Sequence, residues 1–250
     1  MKNNDDLGAI LEWVNGLDAA RKVRVLDVRV GAFWSVVRTT EGVGMASSHF
    51  PGFHAGSVIP VADAGSLGGG SALELARLCL SQSVIETSIG VATLNSLLTS
   101  RLGETTSDNA RDLLVQYGAG RRIAMIGRFP FVDQLRSVCD ELWVFEQDQR
   151  KADEYSERDL AEMLPKADVV AVSATTLINH TLPSILKWTR PEAFRMMLGP
   201  STPLCPVLFD AGFNVLCGTV VEEPEMVIRV VSQGAVTQQI KGVRRVCLWA

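Results

Sequence analysis

IAMIGRFPFVDQLRSVCDELWVFE, residues 123–146, is the stretch that decides the fold. An apolar run, Ile123–Ile126, leads into a glycine turn and a short amphipathic segment over Phe131–Val138. A second apolar run follows at Leu142–Phe145. The alternation continues downstream, where Glu157–Leu164 and Leu177–Trp188 read as helices. Val169–Val172, Phe194–Leu198 and Val215–Cys217 read as strands. Short buried strands alternating with helices predict right-handed βαβ units, and so a doubly wound parallel sheet with helices on both faces.

Upstream the pattern is different. Leu7, Ile10, Leu11, Val14 and Leu17 fall at helical spacing behind acidic residues suited to a helix start. Val23–Val30, Phe33–Thr39 and Val43–Ser47 are rich in β-branched residues and broken by glycines, which predicts an antiparallel meander. Helical patterns resume at Ser71–Leu80 and Val84–Leu98, and Asn109–Tyr117 reads as a further helix. The polar run Arg101–Asp108 is the expected connection, dividing the chain into an α+β domain over 1–107 and an α/β domain over 108–250. Residues 48–70, rich in glycine and without a period, form a long loop suited to a lid.

Composition excludes several classes. The chain has 250 residues, 47% of them hydrophobic, and a net charge of -4, too apolar for a disordered protein. No Lys/Arg run supplies the field of a nucleic-acid binder. Mean hydropathy is +0.17, yet no apolar run approaches the ~20 residues of a membrane span. The first residues, MKNNDDLG, are acidic where a signal peptide would be basic, so a cytoplasmic protein is expected. Cys79, Cys139, Cys205, Cys217 and Cys247 form no CxxC pair, which points to free buried thiols rather than a disulfide framework. The apolar terminal run VCLWA suits a homo-oligomer contact.

In a doubly wound sheet, ligands bind beyond the carboxyl ends of the strands. The residues there are Gly127, Arg128 and Phe129 after the first strand, and Glu146 after the second. Phe129 and Val132 replace the later glycines of a dinucleotide fingerprint, while Arg128 offers a cation. Glu146 stands where a carboxylate would accept ribose hydroxyls. Thr175, Thr176 and Asn179, with Ser173, suggest a hydroxyl-capped helix start able to hold an anion. Gly199, Pro200, Ser201 and Thr202 combine rigid backbone with hydroxyls at an expected second helix start. His49, His54 and Asp63 raise a metal site at unstandard spacing, and His180 reads as a packed or solvent-facing residue. No general base, nucleophile or complete metal set can be named.

MIGRFPF, VFE, ADVVAVSATTLINHTL and LGPSTPLCPVLFDAGFNVLCG resemble the putative heavy-metal chelation domain family. VRVGAFWSVV, LGGGSALELA and SIGVATLNSLL resemble its usual partner domain, and the likeness runs from Val23 to Gly218. The resemblance implies an enolase N-terminal-like domain joined to a Rossmann-like domain, a cleft between them, and a role in handling heavy metals or metal-bearing small molecules. It places Asn95 of GVATLN nearest the cleft. The family turn often reads G-H-F, whereas this chain has Gly127-Arg128-Phe129, which favours a small anionic ligand or metal chelate over a bare ion. The expected function is therefore small-molecule binding or catalysis on such a ligand, without nucleic acid or membrane. The alternative is a nucleotide- or S-adenosylmethionine-dependent enzyme that uses Glu146.

Overall fold

The computed structural model describes residues 6–48, 61–147, 149 and 151–250. Helix α1 (Asp6–Asn15) precedes an antiparallel sheet of β1 (Val25–Val30), β2 (Trp34–Thr39) and β3 (Val43–Ser47), in that spatial order. Two helices follow, α2 (Ala72–Ala76) and α3 (Val84–Thr99). The latter is buried on nearly every side and packs across β2 and β3. Its buried hydroxyls turn inward on their own helix, Thr93 donating to the Ile89 carbonyl at 2.7 Å and Ser96 to that of Thr93 at 2.7 Å. Gly44 makes the close approach of strand to helix possible, since a Cβ there would lie 2.1 Å from the Ala92 carbonyl oxygen.

The remainder builds a seven-stranded sheet. Helix α4 (Ala110–Gly118), capped by Asn109 on the Arg111 amide at 3.0 Å, leads into β4 (Arg122–Ile126). In chain order come α5 (Val132–Arg136), β5 (Glu141–Phe145), β6 (Glu154–Tyr155), α6 (Leu160–Met163) and β7 (Val169–Ser173). Then follow α7 (Thr175–Ile178), α8 (Leu182–Trp188), β8 (Phe194–Leu198), α9 (Val207–Asp210) and β9 (Val215–Val221). The chain closes with α10 (Pro224–Ser232) and β10 (Val243–Trp249). The spatial order is β10-β9-β8-β7-β4-β5-β6, with every pair parallel except β9 and β10. Strand order reverses between β4 and β7. There Gly127, at φ 91°, lies so near Ser173 that a Cβ would meet the serine Cβ at 2.9 Å.

Side chains alternate strictly across this sheet. Met125, Val144, Ala171, Leu198 and Cys217 join Leu114 of α4 and Leu135 of α5 on one face. On the other, Ile126, Phe145, Val172, Met197 and Leu216 join Leu182, Ile185 and Leu208, and the same cluster continues into Leu7, Ile10, Ile89 and Leu94. The small sheet has its own second contact, where Trp34, Val36 and Met45 meet Val227 and Val231 of α10.

Several expectations need correction. The sheet is mostly parallel, because the terminal run expected to serve oligomerisation is β10, an antiparallel strand of its own sheet. The single helix expected over Leu177–Trp188 is two, α7 and α8, broken at His180 with φ 57°. Pro183 explains the break: it has no N–H to give the Asn179 carbonyl and its ring would strike that group. The helix expected at Ser201 starts only at Val207, behind Pro203 and Pro206. His49, His54 and most of the 48–70 loop lie outside the described residues.

Candidate functional site

A cavity of about 990 Å³ opens at the carboxyl ends of β7 and β8, on the face covered by α4 and α5. The small sheet contributes Phe33, Trp34 and Ser47 to its wall, and the segment Ser107–Arg111 at the start of α4 closes another side. Its far wall is the β9–β10 ladder. Thr219 stands opposite Arg245 and Cys217 opposite Cys247, so the alternation that buries Val246 turns these four side chains toward one face.

Of the residues expected from sequence, Arg128, Phe129, Thr175, Gly199, Pro200 and Ser201 line this cavity. The others serve different purposes. Thr176 is buried and donates to the Ser173 carbonyl at 2.7 Å, so its hydroxyl closes a turn rather than an anion site. Asn179 accepts from the Thr181 hydroxyl at 2.7 Å and donates to Gln147 at 3.2 Å. Glu146 accepts the Arg128 backbone amide at 2.5 Å, which fixes the turn containing Gly127 and takes up the carboxylate assigned to a ribose. His180, expected to be packed or solvent-facing, is half-buried, its Nε2 2.9 Å from the Ser81 carbonyl oxygen.

Ser201 and Asn95 meet where the two halves of the chain touch. The Ser47 amide donates to Ser201 Oγ at 2.9 Å, and Asn95 Nδ2 donates to the carbonyls of Met45 at 3.0 Å and Ser201 at 3.2 Å. Asn95 therefore ties the turn after β8 to β3 and is not among the cavity-lining residues. Thr202, also expected at the site, is buried beside this junction, and its hydroxyl has no partner among the described residues.

The cations also differ from expectation. Arg128 pairs with Asp153 at 2.8 Å and Glu154 at 2.6 Å, and these carboxylates hold its guanidinium above its ordinary pKa. Its charge is already matched. Arg245 lines the cavity and makes no ion pair among the described residues. Asp108 accepts from Thr106 and from Trp249 Nε1 at 3.1 Å, and these bonds, the Thr106 one foremost, hold its carboxyl below the usual range. No motif announced Arg245, Asp108 or Thr219. The period-2 alternation of β9 and β10 is the signal for Thr219 and Arg245, while Asp108 sits in the connection before α4 with no pattern to mark it.

The cysteines overturn an expectation as well. Cys217 and Cys247 are joined as a disulfide with Cα atoms 4.3 Å apart. Cys247 spends both backbone groups on Thr106, so the cysteines form a non-hydrogen-bonded cross-strand pair, the spacing at which facing side chains come closest. Cys139 and Cys205 are free thiols, and burial pushes the Cys205 thiol up to about 11. Among the described residues no three His, Cys, Asp or Glu side chains converge, so the four-ligand cage of a borderline ion such as zinc does not fit there. No helix among them is long and apolar enough to cross a membrane.

Comparison with known proteins places this architecture. The DUF364 family model, described as "Putative heavy-metal chelation", matches residues 109–249. The chain belongs to that family. A second model with the same description, DUF4213, matches residues 16–98. A crystal structure of a DUF364 protein of unknown function from Desulfitobacterium hafniense covers 100% of both chains with a TM-score of 0.80 and 23% identity. Another, from Pyrococcus horikoshii, covers 98% of this chain and 100% of its own, with a TM-score of 0.81 and 22% identity. At those identities the likeness is one of fold. An uncharacterized protein of Methanocaldococcus jannaschii is 28% identical over 151 residues. The match covers 57% of this chain and 56% of that protein, so the chain spans about half the length of this curated relative.

Proposed function

We propose that this DUF364 protein binds a small anionic ligand, a metal chelate or similar metal-bearing compound, in the cavity beside β8, β9 and β10. The observation that carries the reading is Arg245, a cation without an ion pair among the described residues, on the wall of a cavity large enough for such a ligand. Three features support it. The start of α4 presents backbone amides at the cavity edge, where the helix dipole favours negative charge. Trp34, another lining residue, has an indole N–H with no partner among the described residues. Asp108, held ionised, supplies an acceptor for ligand hydroxyls, the role first given to Glu146, and a carboxylate for the cation of a chelate. In this reading residues 1–107 form the enolase N-terminal-like unit and 108–250 the Rossmann-like unit, and the ligand sits between them.

Native mass spectrometry and elemental analysis of the purified protein test it first. They are followed by thermal-shift measurements with ferric citrate, inorganic phosphate, NAD, ATP and S-adenosylmethionine. A shift with citrate chelate or phosphate that disappears in Arg245→Gln supports the proposal. Equal shifts in wild type and Arg245→Gln overturn the site. Stabilisation by a nucleotide that disappears in Glu146→Gln would favour the nucleotide-dependent reading.

A further inference from the structure

We propose that Cys217 and Cys247 form a redox-gated dithiol site for a soft, thiophilic metal ion in the wall of this cavity. The inference goes beyond the anion reading and stands on different residues. The two cysteines lie thirty positions apart in sequence, and only the β9–β10 register brings them face to face, in a residue pair that lines a cavity. A purely structural cross-link could sit anywhere on the sheet. This one lies beside the turn after β8, where the Gly199 amide donates to the Cys217 carbonyl at 3.1 Å.

The donor set selects the ion class. Two sulfurs with no third clustered ligand among the described residues suit soft d10 ions, which accept two thiolates, and not ions that require four mixed ligands or a shell of oxygens. In the oxidised state the sulfur–sulfur bond occupies both donors and the site is closed. A dithiol reductant, small or of the thioredoxin class, opens it: the S–S bond breaks, two electrons and two protons arrive, and the reductant leaves as its own disulfide. On binding a divalent soft ion the two thiols release their protons and become thiolate ligands. Cys139 and Cys205 belong to no such pair among the described residues.

The test uses the full chain, reduced with a dithiol, desalted without oxygen and exposed to one equivalent of Hg(II) with excess glutathione as competitor. Native mass spectrometry counts retained ions, and alkylation followed by peptide mapping shows which thiols are protected. The expected result is one ion per reduced chain with Cys217 and Cys247 protected, and none after oxidation by diamide. Cys217→Ser and Cys247→Ser should each weaken retention at least about 100-fold, because a chelating pair becomes a single thiol. Protection of Cys79, Cys139 or Cys205 instead, or retention by Cys217→Ser, overturns the proposal. So does free alkylation of Cys217 and Cys247 in the oxidised protein. If the serine variants do not fold, the wild-type protection map alone decides. Arg245→Gln should keep the metal while losing the anion, so failure of one reading leaves the other separately measurable.

Discussion

The two faces of the seven-stranded sheet are made of the same strands and behave differently. One face is sealed along its length, its apolar side chains running without interruption into the core beneath α1 and α3. The other is covered by α4 and α5 over β4, β5 and β7, and is left open toward β9 and β10. The contrast separates stability from chemistry: neighbouring residues of one strand, Leu216 and Cys217, point into a packed core and a ligand-sized cavity respectively.

Breaking the sealed face should have the largest effect. Leu216→Ala empties a fully buried position, and urea unfolding should show a loss of about 2–5 kcal/mol. Thr219→Val, on the open side of the same strand, should move stability by less than about 0.5 kcal/mol. If the two variants cost the same, the contrast between faces is wrong. Gly44→Ala places a methyl against the backbone of α3, so overpacking should cost about 1–3 kcal/mol by the same measurement.

A smaller effect is electrostatic. Asp168, between Arg122 and Arg190 at the amino ends of the strands, has its carboxyl lowered to about 2, chiefly by the Arg122 hydrogen bond. A carboxylate whose folded pKa is depressed stabilises the protein above its ordinary pKa of 3.8, and that contribution is lost as pH falls through about 2. With solvent screening the term is about 1–2 kcal/mol. Asp168→Asn should lose it at neutral pH and match wild type near pH 2 by denaturant titration. The smallest change is expected for Arg245→Gln, whose melting temperature without ligand should stay within about 1 °C of wild type, corresponding to less than about 0.5 kcal/mol. A larger fall would make Arg245 a structural residue.

Much of the fold was legible. Val43–Ser47 and Phe194–Leu198 match their strands end to end, because β-branched or continuously apolar runs bounded by turn residues have one good solution. Leu177–Trp188 misled because its apolar spacing masks the one residue, Pro183, that forbids a continuous helix. The site was legible only in part. Ser201 and Gly199 follow from the rule about strand ends, but Glu146 and Thr176 obey it and still spend their polar groups on local turns. Arg245 and the Cys217–Cys247 pair depend on the register of β9 against β10. A hairpin with α10 inserted between its strands sets that register, and no local pattern encodes it.

That register has a consequence for biogenesis. Strand β10 leaves the ribosome after the other described strands, and its outer edge is bound to Thr106, between the two matched family segments, by paired backbone bonds with Cys247 of 2.9 and 3.0 Å. A nascent chain that has emerged only through β9 has its parallel strands but neither the far wall of the cavity nor the fastening of that connection. On the proposed reading, the wall that carries Arg245 and Cys247 is complete only once β10 has paired with β9, a non-local contact that closes after the parallel strands.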